Sequence, residues 1–235
     1  MATAVGTEIL AGTPALSTQK SLRRRQSFKR DLRPEERTDL TIEEAEELAQ
    51  GHSFELIEGR MVFKMPDRKH SKIQAALTTK LFNYFEQNPI GEVLPEFSLR
   101  LWPENVHRLP TPDVAVFLNE NIHVEEKYAT RAPDLAIEIV SDDDKAAAVF
   151  AKARMYLEKG SRVVWIVFPL EKSVVIMTPT GRRWESNALT CPELLPGFSI
   201  QVAQIFSELE RNPSPASKKT SAKANTNGKS RSRRK

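Results

Sequence analysis

A glutamate stands in the middle of an otherwise apolar run, Leu135, Ala136, Ile137, Glu138, Ile139, Val140, and no other feature restricts the fold as strongly. The run opens on Asp134 after Pro133, is rich in Ile and Val, and has the length of a buried central strand. A charge flanked by Ile137 and Ile139 is costly unless it is paired or bound to a metal. A second run, Val114 to Phe117, is introduced by Pro112 and Asp113. Two carboxylates on neighbouring strands can converge on one point, where a hard divalent cation such as Mg²⁺ takes carboxylate oxygens and water. The alternative from these residues alone is that Asp113 caps a strand and Glu138 pairs with a buried Lys or Arg.

Around this pair the chain reads as α/β. Thr41 and Glu44 form a capping-box pattern that starts a short acidic helix through Ala49. Phe54 to Ile57, Glu58-Gly59 and Arg60 to Phe63 read as a hairpin, with Glu55 in its first strand. Ile73, Ala76, Leu77, Leu81, Tyr84 and Phe85 recur at helical spacing over 69–87, with His70 in the first turn and Pro89 and Gly91 beyond the end. Glu92 to Trp102 alternates enough to predict one long strand. Ser141 with Asp142, Asp143 and Asp144 predicts the N-terminus of a helix that carries Lys152 and closes at Gly160. Strands are expected at 162–167 and 173–177, then a terminal strand and short helix from Leu195 to Phe206. The expected architecture is a mixed sheet of five or six strands flanked by two main helices, in one domain over 39–210.

Charge separates that domain from its flanks. Of 35 Lys+Arg and 31 Asp+Glu, residues 1–38 hold 8 and 4 and residues 211–235 hold 9 and none, which leaves 18 against 27 for 39–210, a net of −9. The flanks are Ser-, Pro- and Ala-rich with few large apolar groups, so 1–38 and 211–235 are expected to be disordered basic arms. For the first, an organelle transit peptide is the alternative. The single cysteine, Cys191, excludes an intrachain disulfide and argues for no oxidising compartment, so a cytoplasmic location is the default. The longest strongly apolar stretch, Val163 to Phe168, is far short of the roughly 20 residues of a membrane helix, and no membrane partner is expected.

Several chemistries find no support. The chain has neither a G-x-G-x-x-G nor a Walker loop, no G-x-S-x-G elbow, and no zinc-like spacing among His52, His70, His107, His123 and Cys191.

An Asp after Pro at the opening of one strand and a Glu inside the next resemble the PD-(D/E)xK superfamily of restriction-endonuclease-like folds. Glu55-Leu56 before Gly59, His70 at a helix start, Pro112-Asp113, Pro133-Asp134 to Ser141, Lys152 with Tyr156 and Gly160, Trp165, and Leu195 to Phe198 together resemble the Uma-two family, described as putative endonucleases, over about residues 41–206. The resemblance implies a Mg²⁺ or Mn²⁺ site made by Asp113, Glu138 and a backbone carbonyl, that of Ile139, and a phosphodiesterase acting on nucleic acid, with DNA the expected substrate. In the wider superfamily a Lys stands two residues after the Glu; here that position is Val140, and Lys152 on the following helix is the matching lysine. Glu55 would bind or orient a metal-bound water, and His70 would act as general base or substrate contact. Each also has a plainer reading: a solvated helix lysine, an edge-strand charge, a capping histidine. Many relatives carry Asp where this chain has Phe168. A non-catalytic nucleic-acid-binding or interaction module on the same fold is the alternative function, motivated by Val140 together with the acidic surface of the domain.

The tail residues Lys218, Lys219, Lys223, Lys229, Arg231, Arg233, Arg234 and Lys235 have no acidic neighbour and are expected to attract phosphates without reading sequence. Cutting both strands of a duplex from one site per domain would favour a homodimer.

Overall fold

The computed structural model describes residues 33–122, 127–142 and 144–210. Most of the two basic arms, the eight tail residues named above, His123 and Asp143 lie outside them. The first helix, α1 (Ile42–Ala49), begins at the predicted capping box: Thr41 Oγ1 accepts from the Glu44 N–H and Glu44 Oε2 accepts from the Thr41 N–H. A hairpin follows, β1 (Phe54–Ile57) and β2 (Arg60–Phe63), turned at Glu58 and Gly59. Both turn residues have positive φ, 49° and 75°, the geometry that suits a two-residue hairpin turn. A Cβ at Gly59 would also lie 2.8 Å from the Thr38 carbonyl oxygen, so no larger residue fits without movement.

Helix α2 (Arg68–Gln87) is capped by Asp67, whose carboxylate accepts from the His70 N–H at 2.7 Å. Strand β3 (Gly91–Pro95) ends early. The expected strand to Trp102 breaks where Glu96 turns to φ 50°, and beyond it only Leu99 bridges, to Ala129. Strands β4 (Val114–Leu118) and β5 (Leu135–Ile139) are the two Val/Ile-rich runs. Helix α3 (Ala146–Glu158) starts later than the aspartates suggested. Ser141 instead donates from its N–H and Oγ to Asp144 Oδ2, a local turn that uses up the capping groups before the helix begins.

The chain continues through β6 (Val163–Phe168), β7 (Ser173–Thr178), β8 (Gly181–Glu185), β9 (Ala188–Cys191), β10 (Leu195–Gln201) and α4 (Val202–Glu210). The main sheet has six strands in the order β3-β4-β5-β6-β7-β8, antiparallel except for the β5–β6 pair that α3 connects. Both faces of the inner strands β4 to β7 are mostly apolar and covered. Val114, Val116, Leu135, Ile137, Val163 and Trp165 pack under Ile73, Leu77 and Leu81 of α2 and the β9–β10 and α4 layer. Ala115, Ala136, Val164 and Ile166 pack under Val149, Ala153 and Tyr156 of α3. A third, smaller core joins α1 and the hairpin through Leu40, Ile42, Leu56, Met61 and Leu109. Among the described residues no helix is long and apolar enough to cross a membrane.

Candidate active site

Strands β4 and β5 run antiparallel with Val114 opposite Ile137, so one step further along the ladder Asp113 faces Glu138. That register answers why the sequence holds a charge in an apolar run. Strand alternation turns Glu138, like Ala136, toward α3 rather than α2. There it meets two side chains one helical turn apart. Lys152 Nζ lies 2.9 Å from the Glu138 carboxylate, and the Tyr156 hydroxyl donates to Glu138 Oε1 at 3.0 Å.

The hairpin supplies the rest. Leu56 and Leu109 exchange both backbone hydrogen bonds, 3.0 and 2.9 Å, which ties β1 to the strand-like segment before Asp113. Docked in this way, the hairpin brings two side chains into the site. Glu55 is buried and ion-paired with Lys152. Lys64, one residue past β2, places its Nζ 2.6 Å from Asp113 Oδ1 and 3.8 Å from Glu55 Oε1. Both lysines also donate to the Thr111 carbonyl oxygen.

Asp113 is held from three sides. Oδ1 takes Lys64, while Oδ2 accepts the Ile139 N–H at 2.7 Å and lies 3.0 Å from His70 Nε2. Gln74 donates to its carbonyl oxygen at 2.9 Å. Burial works against the charge on Asp113, but the His70 hydrogen bond and the charges of Lys64, His70 and Lys152 outweigh it and hold the carboxyl far below the usual range. His70 is raised in turn: burial opposes its charge and Asp113 overcomes that. Its Nδ1 is buried with no hydrogen-bond partner.

Glu138 behaves differently. Burial pushes its carboxyl up to about 7, Lys152 opposes the shift, and the Asp113 and Glu55 charges add to it. The Lys152 ammonium is pushed down by burial yet held well above its ordinary value by Glu138, Glu55 and Asp113 together. For an isolated ion pair, upward shifts of both partners would conflict. Here the Lys152 ammonium is shared among the carboxylates, and Glu138, where burial is the largest cause, is raised while Asp113 is lowered.

All five residues named from the sequence for their side chains therefore meet at one end of the sheet: Asp113, Glu138, Lys152, Glu55 and His70. Ile139 takes part through its N–H to Asp113. Lys152 is not a solvated helix residue, since its side chain is 21 % exposed and engages two carboxylates. Glu55 is not an edge-strand charge facing water. Lys64 escaped the sequence reading. Its one signal was a count of charges: three buried carboxylates need more than one cation.

The sequence model of the Uma2 family, described as "Putative restriction endonuclease", matches residues 42–203. The chain belongs to this family. A solved structure described as a "putative nuclease belonging to DUF820", from Anabaena variabilis, superposes with a TM-score of 0.61 at 23% identity, covering 72% of this chain and 99% of that one. The two share a restriction-endonuclease-like fold: a mixed sheet flanked by helices. A DrdV–DNA complex matches at TM-score 0.35 and 10% identity over 61% of this chain and 11% of that one, a likeness too slight to argue from. No curated protein matches the chain.

Proteins of this fold generally use divalent metals, and the donor set suits one. Asp113, Glu138 and Glu55 present only oxygen, the preference of Mg²⁺ and Mn²⁺. Burial and the neighbouring Asp113 and Glu55 charges raise the Glu138 carboxyl against the pull of Lys152 and Lys64. Among the described residues no three His, Cys, Asp or Glu stand as a ready-made metal cluster, and the ammoniums of Lys64 and Lys152 bridge the carboxylates as they stand.

Proposed function

We propose that this Uma2 member is a divalent-metal-dependent endonuclease that hydrolyses phosphodiester bonds of nucleic acid, DNA in the first place. The observation that carries the reading is the convergence on one point of three buried carboxylates and two lysines brought by the hairpin, the start of β4, β5 and α3. A core has no structural need for so concentrated a charge cluster, and burying one costs stability that apolar side chains would not. Asp113 and Glu138, with the Ile139 carbonyl, are the residues that would hold Mg²⁺ or Mn²⁺. When bound, the cation would supply Lewis-acid stabilisation of the phosphate and lower the pKa of the attacking water.

The chain's own groups do the remainder. Lys152 and Lys64 present two ammoniums beside the carboxylates, where negative charge develops on the phosphoryl oxygens, and either can neutralise it. Lys152 stands in for the absent lysine at Val140 because side chains from a strand and from the helix packed over it reach the same place. Ile139 N–H and His70 fix the Asp113 carboxylate, which makes His70 a positioning residue in this geometry. Glu55 orients Lys152 and is the third oxygen donor. The basic arms supply the phosphate attraction that an acidic core of net −9 does not. Cutting both strands of a duplex would call for two copies of the site, hence a homodimer.

The non-catalytic reading keeps one observation in its favour: each carboxylate in the cluster already has an ammonium partner. Calorimetry separates the two. Mn²⁺ binding that disappears in Glu138→Gln supports the nuclease, whereas nucleic-acid binding with no metal uptake supports the binding module.

A further inference from the structure

Strand β8 is one edge of the main sheet and four of its five residues are exposed, among them Trp184 at 59 %. An exposed indole on an edge strand needs an account, because large aromatics are usually covered. It does not stand alone. The Trp184 ring lies 5.1 Å from that of Phe168, Phe168 lies 6.2 Å from Phe150 on α3, and the Arg182 guanidinium covers Phe150 at 5.2 Å. Trp184 pairs with Val175 and Arg182 with Met177, so both project from the sheet face that Glu138 shares with α3. Phe168 is on that face too, two residues beyond Ile166, the register partner of Glu138. Three strand spacings, about 14 Å, separate Glu138 from β8, a span of a few nucleotides.

We propose that the exposed Trp184 ring and the Arg182 guanidinium, backed by the buried Phe168 and by Phe150, form a stacking platform for unpaired bases of the nucleic-acid strand that enters the active site. The inference rests on the nuclease reading above and adds to it the kind of substrate the site prefers: a strand with bases splayed out, single-stranded or locally opened. The chemistry matches. Aromatic faces stack on any base, guanidinium groups add cation–π and phosphate contacts, and the combination grips a strand without reading its sequence. Among the described residues no ion pair engages Arg182, which shares the Trp184 face, so this cation of a net-acidic core remains available to phosphates. A second copy of the chain fits the edge poorly. Two-fold antiparallel pairing of β8 about Arg182 and Arg183 would set arginine against arginine, and charged edge strands resist such pairing. Phe168, buried beneath Trp184, gives the indole its backing.

The test uses the full chain in EDTA, where cleavage is suppressed. Fluorescence anisotropy measures affinity for a labelled single-stranded oligonucleotide and for a duplex of the same sequence. Photo-cross-linking from 5-iodouracil in the single strand then maps the contact. Trp184→Ala should weaken single-strand binding about tenfold or more, the scale of one lost stacking contact, and duplex binding less, with Trp184→Phe restoring most of it. Cross-links should fall on β8. Arg182→Ala should reduce the salt slope by about one. With Mn²⁺ restored, Trp184→Ala should raise the substrate concentration at which single-turnover cleavage half-saturates by a similar factor, because the platform acts on strand binding. Equal affinities of wild type and Trp184→Ala, or cross-links only outside β8, would overturn the platform and leave the nuclease reading standing. An inert active centre in wild type, with Trp184→Ala still weakened, would sink the nuclease reading and leave the platform. A wild-type dimer that Trp184→Ala converts to monomer in light scattering would assign the surface to a second copy and overturn the proposal.

Discussion

Lys64 and Lys152 donate to the same atom, the Thr111 carbonyl oxygen, at 3.0 and 3.2 Å. One lysine comes from the hairpin and the other from the helix over the sheet, so a single carbonyl two residues before Asp113 sets the spacing of both ammoniums. Lys64 faces Asp113 and Lys152 faces Glu138. This makes the two lysines non-equivalent, and their substitutions should have different effects.

Lys64→Met should lower cleavage by roughly two orders of magnitude, the scale of one lost electrostatic stabiliser, without weakening Mn²⁺ binding, since the ammonium competes with a cation for Asp113 Oδ1. Lys152→Met should cost cleavage and stability together. It removes the cation shared by Glu55 and Glu138, and stranding buried carboxylates costs about 3 kcal/mol or more. Single-turnover rates and urea midpoints check both. A Lys64→Met protein that cleaves at the wild-type rate would remove Lys64 from the mechanism.

The Glu138 shift has a definite sign. Its carboxyl is near 7 in the folded chain against an ordinary 4.5, so between those values the folded protein holds a proton that the unfolded chain has released. Stability of the metal-free protein should therefore fall as pH rises from about 4.5 to 7, and His70, also raised, acts in the same direction at the upper end of that window. Asp113, lowered, contributes stability above its ordinary range that disappears only in strong acid. In Glu138→Gln the decline over pH 5–7 should flatten by an amount on the order of 1–3 kcal/mol. Urea midpoints at pH 5, 6 and 7 in EDTA measure it, and parallel curves for the two proteins would contradict the assignment.

How much of this was legible depended on how local the signal was. Asp113 and Glu138 could be found because a carboxylate inside a Val/Ile run breaks a pattern that lies within a few residues. The hairpin turn at Glu58-Gly59 and the Thr41 capping box are local chemistry and read correctly. Lys64 lies 49 residues from Asp113, and only the docking of Leu56 on Leu109 brings them together. Strand β8 went unread because Arg182, Arg183 and Trp184 show no apolar alternation, which is what an exposed edge strand looks like in sequence. The helix start misplaced at Ser141 failed for a local reason: Ser141 and Asp144 satisfy each other instead of capping α3.

The hairpin's role is testable through its turn. Gly59→Ala places a methyl against the Thr38 carbonyl at a position with φ 75°, and the strain should cost about 1–3 kcal/mol. Because the hairpin carries Glu55 and Lys64, cleavage should fall more than stability alone explains under conditions where the variant is fully folded. Circular dichroism with single-turnover kinetics distinguishes the two effects. Full activity in a folded Gly59→Ala protein would show that the hairpin's placement is not critical.

The basic C-terminal arm should act on binding and not on chemistry. A chain ending at Arg211 should bind random duplex more weakly and with a shallower salt slope, while its single-turnover rate at saturating DNA stays unchanged. Equal affinities and slopes for the two lengths, measured from low to moderate salt, would rule out a DNA-tethering arm.

If the Asp113–Glu138 cluster performs the proposed metal-dependent phosphodiester hydrolysis, plasmid cleavage will show it. Supercoiled plasmid incubated with the full chain and Mg²⁺ or Mn²⁺ should be converted to nicked and linear forms, EDTA should stop the conversion, and Asp113→Ala should abolish it while the protein remains folded. Cleavage by Asp113→Ala equal to wild type, or no cleavage of any DNA or RNA form by the wild-type protein with either metal, would contradict the account.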